Sequence, residues 1–97
     1  MARNQKLTSL IQGRTIASLQ PQSVQLLITF TDGSKMTVRV AEVPQNLPTG
    51  GTVKAVRQSG TTLELDMVDG STLVLQTAEA TSCVLLRNKH GELEYAD

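Results

Sequence analysis

The chain has almost no aromatic residues and no block of like charges. Its 97 residues include no Trp, one Tyr and one Phe, and nine basic residues balance nine acidic ones. Nucleic-acid-binding domains typically carry a basic stripe and aromatic side chains on which bases stack. The composition therefore disfavours a nucleic-acid-binding barrel of the OB or Sm-like kind, for which Lys35, Arg39 and Lys54 are the candidate phosphate contacts.

The chain also has little metal-binding or nucleophilic chemistry. His90 and Cys83 are its only histidine and cysteine. They exclude an internal disulfide and a side-chain zinc cluster of the usual kind within one chain. We interpret Cys83, which lies in an apolar segment, as a buried structural residue. His90 stands beside Lys89 and Gly91, and we interpret it as an exposed turn residue.

The carboxylates and glycines form no motif typical of an enzyme. Glu64 and Asp66 stand two residues apart, as do Glu92 and Glu94, so each pair shares one face of a strand. We interpret both pairs as solvated faces. The chain lacks a glycine-rich phosphate loop, a dinucleotide fingerprint and a nucleophile elbow. We therefore expect no enzymatic activity, no metal and no cofactor.

Long hydrophobic segments are missing as well. No apolar run approaches the ~18 residues of a membrane helix, and residues 1–6 lack the apolar core of an export signal. A lone cysteine suits a reducing compartment. We expect a cytoplasmic protein without membrane contact.

What the chain does contain is an internal repeat. Residues 13–42 align without a gap on residues 50–79, a shift of 37 positions that makes eight pairs identical. A repeat of this length is typical of stacked supersecondary units that bury their apolar faces together. We expect one domain, 1–97, with an internal duplication of 13–42 and 50–79.

Each repeat contains a hairpin whose register follows from its apolar alternation. A two-residue Asp32-Gly33 turn would set apolar residues of one strand opposite polar residues of the next. A three-residue loop, with Gly33 at positive φ, pairs Ile28 with Met36 and makes the apolar faces coincide. The second repeat independently indicates the equivalent register. Both Asp-Gly-Ser segments are then interpreted as turn chemistry rather than as cation or phosphate loops.

A shorter strand is predicted before each hairpin. Its two apolar residues, Ile16 and Leu19 in one repeat and Val53 and Val56 in the other, are three positions apart. Strict alternation would place them two or four apart, so the spacing predicts either a β-bulge or burial on both faces.

The segments outside the repeats add a helix, a linker and a tail. Leu7, Leu10 and Ile11 show helical spacing in residues 4–12, with Asn4 as N-cap and Gly13 as terminator, and predict a short helix docked on the sheet. Residues 43–51 contain two prolines and predict a crossing loop. The apolar run 83–86 and the alternating Leu93 and Tyr95 predict a third hairpin, its first strand covered on both faces.

The predicted fold class is all-β. Two tandem three-stranded meanders, a C-terminal hairpin and a short N-terminal helix would close into a small barrel, with a two-sheet sandwich as the alternative.

Four aliphatic residues are the predicted interface. Leu27 stands where the second repeat has Glu64, Val74 stands where the first has Thr37, and part of the run 83–86 must face away from Cys83. The candidate residues are Leu27, Val74, Val84 and Leu86. We expect the N-terminal helix or another subunit to cover them. The leading hypothesis is a self-associating protein-interaction or scaffold module, as a homodimer or with another protein. The alternatives are a carrier of a small apolar ligand and the less favoured nucleic-acid-binding barrel.

Overall fold

The computed structural model describes residues 2–42 and 50–97. The described residues form the strands β1 (Ala2–Arg3), β2 (Thr15–Gln22), β3 (Gln25–Phe30), β4 (Lys35–Arg39), β5 (Gly51–Ser59), β6 (Thr62–Met67), β7 (Thr72–Gln76), β8 (Val84–Arg87) and β9 (Leu93–Ala96), and the helix α1 (Gln5–Ile11). The all-β class with one short N-terminal helix is confirmed. Most of the predicted crossing loop, residues 43–49, lies outside the described residues.

Two antiparallel meanders, β2–β3–β4 and β5–β6–β7, make up most of the sheet. Ile28 lies opposite Met36 and Leu65 lies opposite Leu73, which confirms the predicted register of both hairpins. Gly33 and Gly70 have φ of 91° and 94° at the last position of their three-residue loops. Glycine adopts this conformation without the steric cost that a Cβ would add.

A β-bulge interrupts the first strand of each meander. The pairing of β2 with β3 shifts between Ile16 and Ser18, and the pairing of β5 with β6 shifts between Val53 and Ala55. The predicted bulges are confirmed. The extra residue reverses the alternation, so that Val56 is buried in the core together with Val53.

The two meanders meet at two junctions where residues 37 positions apart lie opposite each other. Thr15 pairs with Thr52 between β2 and β5, and their hydroxyl oxygens are 2.8 Å apart. Val40 forms a single bridge to Thr77 just beyond β4 and β7. Such pairing is what a twofold rotation relating the two meanders requires. The described strands follow the open order β7-β6-β5-β2-β3-β4-β8-β9, so the sheet is not closed.

The helix α1 docks on β5 and contributes Leu7 and Ile11, both fully buried, to the core. The Asn4 side chain caps the helix by accepting the Leu7 N–H at 3.0 Å. Its amide also donates to the Tyr95 hydroxyl at 3.0 Å, so the helix start is tied to β9. The predicted helix and its cap are confirmed.

The strand β8 corrects one prediction about the tail. It pairs with β4 on one side and with β9 on the other, which confirms the third hairpin. Val84 and Leu86 point into the core with 2% and 0% exposure, while Leu85 points outward with 42% exposure. Within the chain only one face of β8 is covered, because only that face lies against the core, and cover of the other face by a second subunit stays a prediction. Val84 and Leu86 therefore cannot form an outer contact surface.

Candidate functional site

The lone cysteine, Cys83, and the lone histidine, His90, do not form a site. Cys83 is buried, and its sulfur lies 3.3 Å from the Glu79 backbone nitrogen and 3.3 Å from the Thr81 carbonyl oxygen. His90 is exposed in the β8–β9 turn, where its backbone N–H donates to the Asn88 side chain. Both interpretations from the sequence are confirmed. Within residues 2–42 and 50–97, no three His, Cys, Asp or Glu side chains are placed to hold a metal ion.

Glu64 and Asp66 are held by an arginine rather than freely solvated. Arg57 donates from Nε and Nη2 to the two carboxylate oxygens of Asp66, both at 2.8 Å. Its Nη2 also lies 2.7 Å from Glu64 Oε2. The hydrogen bond from Arg57 lowers the pKa of Asp66. The pair lies on the outer face of β6, as the sequence predicts, and the register of β5 adds Arg57 opposite Glu64.

The two Asp-Gly-Ser loops show turn chemistry. The Ser34 N–H donates to Asp32 Oδ1 at 2.8 Å, and the Ser71 N–H donates to Asp69 Oδ1 at 2.9 Å. The serine hydroxyls donate to the same oxygens. The hydroxyl bond, followed by the backbone bond, lowers the pKa of each aspartate. These carboxylates serve their own loops, as the sequence predicts.

Arg14 binds two carboxylates near the β8–β9 turn. It donates from Nη1 and Nη2 to the two oxygens of Glu94 at 3.2 and 3.1 Å, and its Nε is 3.6 Å from Asp32 Oδ2. The register of β9 shifts at Glu94, which leaves this residue without an opposite residue on β8. Glu92 is exposed, as predicted, whereas Glu94 is partly exposed and paired with Arg14.

The outer face of β3, β4, β8 and β9 carries an apolar row, defined as Leu27, Thr37, Leu85 and Ala96. Leu27 lies opposite Thr37, which lies opposite Leu85, which lies opposite Ala96. Directly opposite side chains on one face have Cβ atoms ~5 Å apart and contact each other. The four residues therefore form a continuous strip, with Leu85 its most exposed leucine.

A basic row, Lys35 and Arg87, lies next to the apolar row on the same strands. Lys35 is directly opposite Arg87, and Arg87 is opposite the exposed Leu93. Like charges in this position repel each other. The part of the chain that the structure describes contains all nine carboxylate side chains, and none of them forms a salt bridge with Lys35 or Arg87.

The β8–β9 turn, residues 88–91, borders these rows and creates a groove of about 480 Å³. Its floor contains Leu27, Thr37 and Leu85, and cationic side chains, Lys35, Arg87 and Lys89, stand around it. We call it the cationic groove. Its wall packs against the β3–β4 turn so closely that a Cβ added at Gly33 would lie 3.0 Å from Lys89 Cβ. Glycine at this position therefore makes room for the wall.

The structure does not bring the four predicted interface residues together. Leu27 lies in the cationic groove, but Val74 is on β7 of the other meander, opposite Glu64. Val84 and Leu86 are in the core. Leu85, the outward residue of β8, is not among the residues predicted from the sequence. A strict alternation through β8, in register with Met36 and Val38 on β4, would have identified it.

The three predicted phosphate contacts are also separated. Lys35 and Arg39 lie on β4, whereas Lys54 lies on β5 close enough to Asp66 to help lower the pKa of that carboxyl. Arg39 Nη1 is 3.9 Å from Glu79 Oε2. These three residues do not form a continuous basic stripe.

Comparison of the chain with protein-family models, curated proteins and solved structures gives no match. Over the residues that the structure describes, no helix has the length and apolar character needed to cross a membrane. The cationic groove and the apolar row are therefore interpreted from their own geometry.

Proposed function

We propose that this protein is a non-enzymatic interaction domain that binds another protein through the outer face of β3, β4, β8 and β9. The observation that carries the proposal is the apolar row, which runs across these strands on the solvent side and borders the cationic groove. Adjacent aliphatic side chains on an exposed face are typical anchors of a protein contact. Groups that an enzyme could use are engaged elsewhere, since Cys83 is buried and Asp66 and Glu94 are bound by arginines.

Charge favours a different protein over a second copy as the occupant of this face. The face presents Lys35, Arg39 and Arg87, and all three side chains are exposed. Packing two such faces symmetrically would set cations against cations. The homodimer predicted from the sequence stays a prediction, and it would need another surface.

The two other functions expected from the sequence have less support. A carrier of an apolar ligand needs room in the interior, where Phe30, Met36 and Leu65 belong to one cluster of buried side chains. A nucleic-acid-binding barrel needs large aromatic side chains for stacking, and no Phe, Tyr or Trp lines the cationic groove.

A photoreactive amino acid in place of Leu85 tests the proposal in cells that express the protein. We expect one discrete adduct with another protein, because the side chain at this position lies in the contact face. The same substitution at Val74 is the matched control, since Val74 is similarly exposed (48% against 42% for Leu85) but neighbours Glu64 on the other meander. Mass spectrometry identifies the partner, and calorimetry with the purified partner then compares the wild type with Leu85→Ser.

The expected result is a position-specific adduct and at least about tenfold weaker binding by Leu85→Ser, which corresponds to ~1.4 kcal/mol. Equal adducts from both positions, or none from either, would contradict the proposal. An adduct of twice the chain's mass would identify a second copy as the occupant and refute the argument from charge.

A further inference from the structure

We propose that the cationic groove binds an acidic segment of the partner protein. Carboxylates of that segment would bind Lys35, Arg87 and Lys89, while its aliphatic side chains would pack on Leu27 and Leu85. The inference rests on the proposed function and adds the chemistry of the partner to it.

The groove carries positive charge that no described carboxylate compensates by a salt bridge. Lys35 and Arg87 face each other across β4 and β8 without a carboxylate partner among the described residues. Of the acids beside the wall, Asp32 and Glu94 line a neighbouring groove and are engaged by Arg14, and Glu92 accepts from the Asn88 side-chain amide at 3.2 Å. An anion between Lys35 and Arg87 would relieve their repulsion and form charge-assisted hydrogen bonds with both.

Hydrogen bonds order the wall of the groove before any ligand binds. Asn88 Oδ1 accepts the backbone N–H groups of His90 and Glu92 at 2.9 and 3.0 Å, which fixes the turn. Arg87 Nη1 donates to the Gly91 carbonyl oxygen at 3.0 Å, so the guanidinium is held beside the groove. Groups that are ordered before binding lose less conformational entropy when a ligand arrives.

The floor of the groove selects among anionic partners. Leu27 and Leu85 offer aliphatic surface beside Thr37, the groove is lined by no Phe, Tyr or Trp, and its one ring is the His90 imidazole on the wall. Nucleic-acid bases would find none of the large aromatic rings that form a stacking platform. A polypeptide segment that combines carboxylates with aliphatic side chains matches both the charged rim and the floor.

The second meander differs at the equivalent positions. Glu64 and Thr72 stand at the positions 37 residues beyond Leu27 and Lys35, and Arg57 binds the carboxylates of that face. The outer face of the second meander therefore serves as a control surface for the proposed binding surface on the first.

Fluorescence anisotropy with a labelled peptide of alternating glutamate and leucine tests the inference on the full chain. We expect the wild type to bind this peptide and to bind it more weakly as salt is added, since exposed charges are screened. Reversing both charges of the basic row, Lys35→Glu with Arg87→Glu, should weaken binding at least about tenfold. Lys54→Glu on the other meander is the control and should leave the affinity unchanged. Circular dichroism establishes that each variant is folded.

The outcomes separate this inference from the proposed function. If the peptide does not bind but the adducts at position 85 persist, the acidic-segment inference is wrong and the interaction function stands. If the adducts are missing as well, both are wrong. A peptide of alternating glutamine and leucine that binds equally well would also overturn the inference. Tighter binding of single-stranded DNA or of anionic vesicles, lost in the charge-reversed variant, would assign the groove to those partners instead.

Discussion

Ser23 and Gly60 occupy the same place in the two meanders, in the two-residue turns after β2 and β5. Their φ angles are 54° and 57°, and each is the first residue of its turn. Positive φ at this position costs a residue with a Cβ about 1–2 kcal/mol, whereas glycine adopts it readily. The first meander therefore keeps a strained serine where the second has glycine.

Exchanging these two residues measures the strain. We expect Ser23→Gly to raise the free energy of unfolding by about 1 kcal/mol, since the relieved strain exceeds the entropy that glycine adds to the unfolded chain. Gly60→Ser should lower it by a similar amount. Urea denaturation of the two variants measures both changes, and a destabilised Ser23→Gly protein would contradict the assigned turn geometry.

Ionisation of Asp66 makes the free energy of unfolding depend on pH in the acidic range. Its pKa is lowered in the folded state by the hydrogen bond from Arg57, so its ionised form stabilises the fold above the ordinary aspartate pKa of 3.8. This contribution is lost as the pH falls through that value and below the folded-state pKa. We expect Asp66→Asn to flatten the fall of the unfolding free energy below about pH 4.

Denaturation at several acidic pH values measures that slope. Asp32 and Asp69 also have lowered pKa values, so the slope should be reduced rather than abolished. Glu92→Gln is the matched control, because Glu92 is an exposed carboxylate outside the ion pairs found in the described residues. A slope equal to that of the wild type in Asp66→Asn would show that the pair with Arg57 does not couple to folding.

At the scale of elements, the two leucines of β8 have different roles: Leu86 contributes to stability and Leu85 to the proposed binding. Leu86 is fully buried and Leu85 is 42% exposed, although they are adjacent in the chain. Leu86→Ala should lower the free energy of unfolding by about 2–5 kcal/mol through the cavity that it leaves. Leu85→Ala should change it by less than about 1 kcal/mol.

The comparison of these two variants by urea denaturation tests the orientation of the strand. The acidic peptide supplies the opposite readout, because binding should be weakened by Leu85→Ala and retained by whatever fraction of Leu86→Ala is folded. Equal losses of stability would mean that β8 is covered on both faces after all.

The elements that the sequence predicts correctly are those whose pattern of residues gives a signal within one short segment of the chain. The hairpins follow from apolar alternation on both sides of a glycine that requires positive φ, and the bulges follow from the three-residue spacing of Val53 and Val56. The orientation of β8 had no such signal, because Cys83, Val84, Leu85 and Leu86 form an unbroken apolar run. Only pairing with β4 decides which of them face outward.

The candidate site was less predictable than the fold for the same reason. The alternation of its own strand predicts that Leu27 faces outward. Its neighbours Leu85, Arg87 and Lys89 lie beside it only because distant parts of the chain pair in the sheet. The ion pairs of Arg14 and Arg57 likewise depend on register shifts that move a carboxylate relative to its partner. Composition and periodicity do not report such cross-strand neighbours.

At the scale of the whole molecule, the similar meanders are made different by what attaches to them. The terminal hairpin lies along β4, and its turn forms the wall of the groove on that meander. Arg57 and its two carboxylates occupy the corresponding outer face of the other meander. A single docking face, rather than two related ones, is the expected result.

The bond between Asn4 and Tyr95 brings the beginning and the end of the described chain side by side. A circularly permuted protein, with residues 2 and 97 joined by a flexible linker and new termini at the exposed Gly60 turn, should therefore fold and keep most of its stability. A second permuted protein, with the same linker but with its new termini at Lys89 and His90, should keep the circular dichroism spectrum of the wild type. It should lose its affinity for the acidic peptide, because the cut removes the wall on which the groove depends.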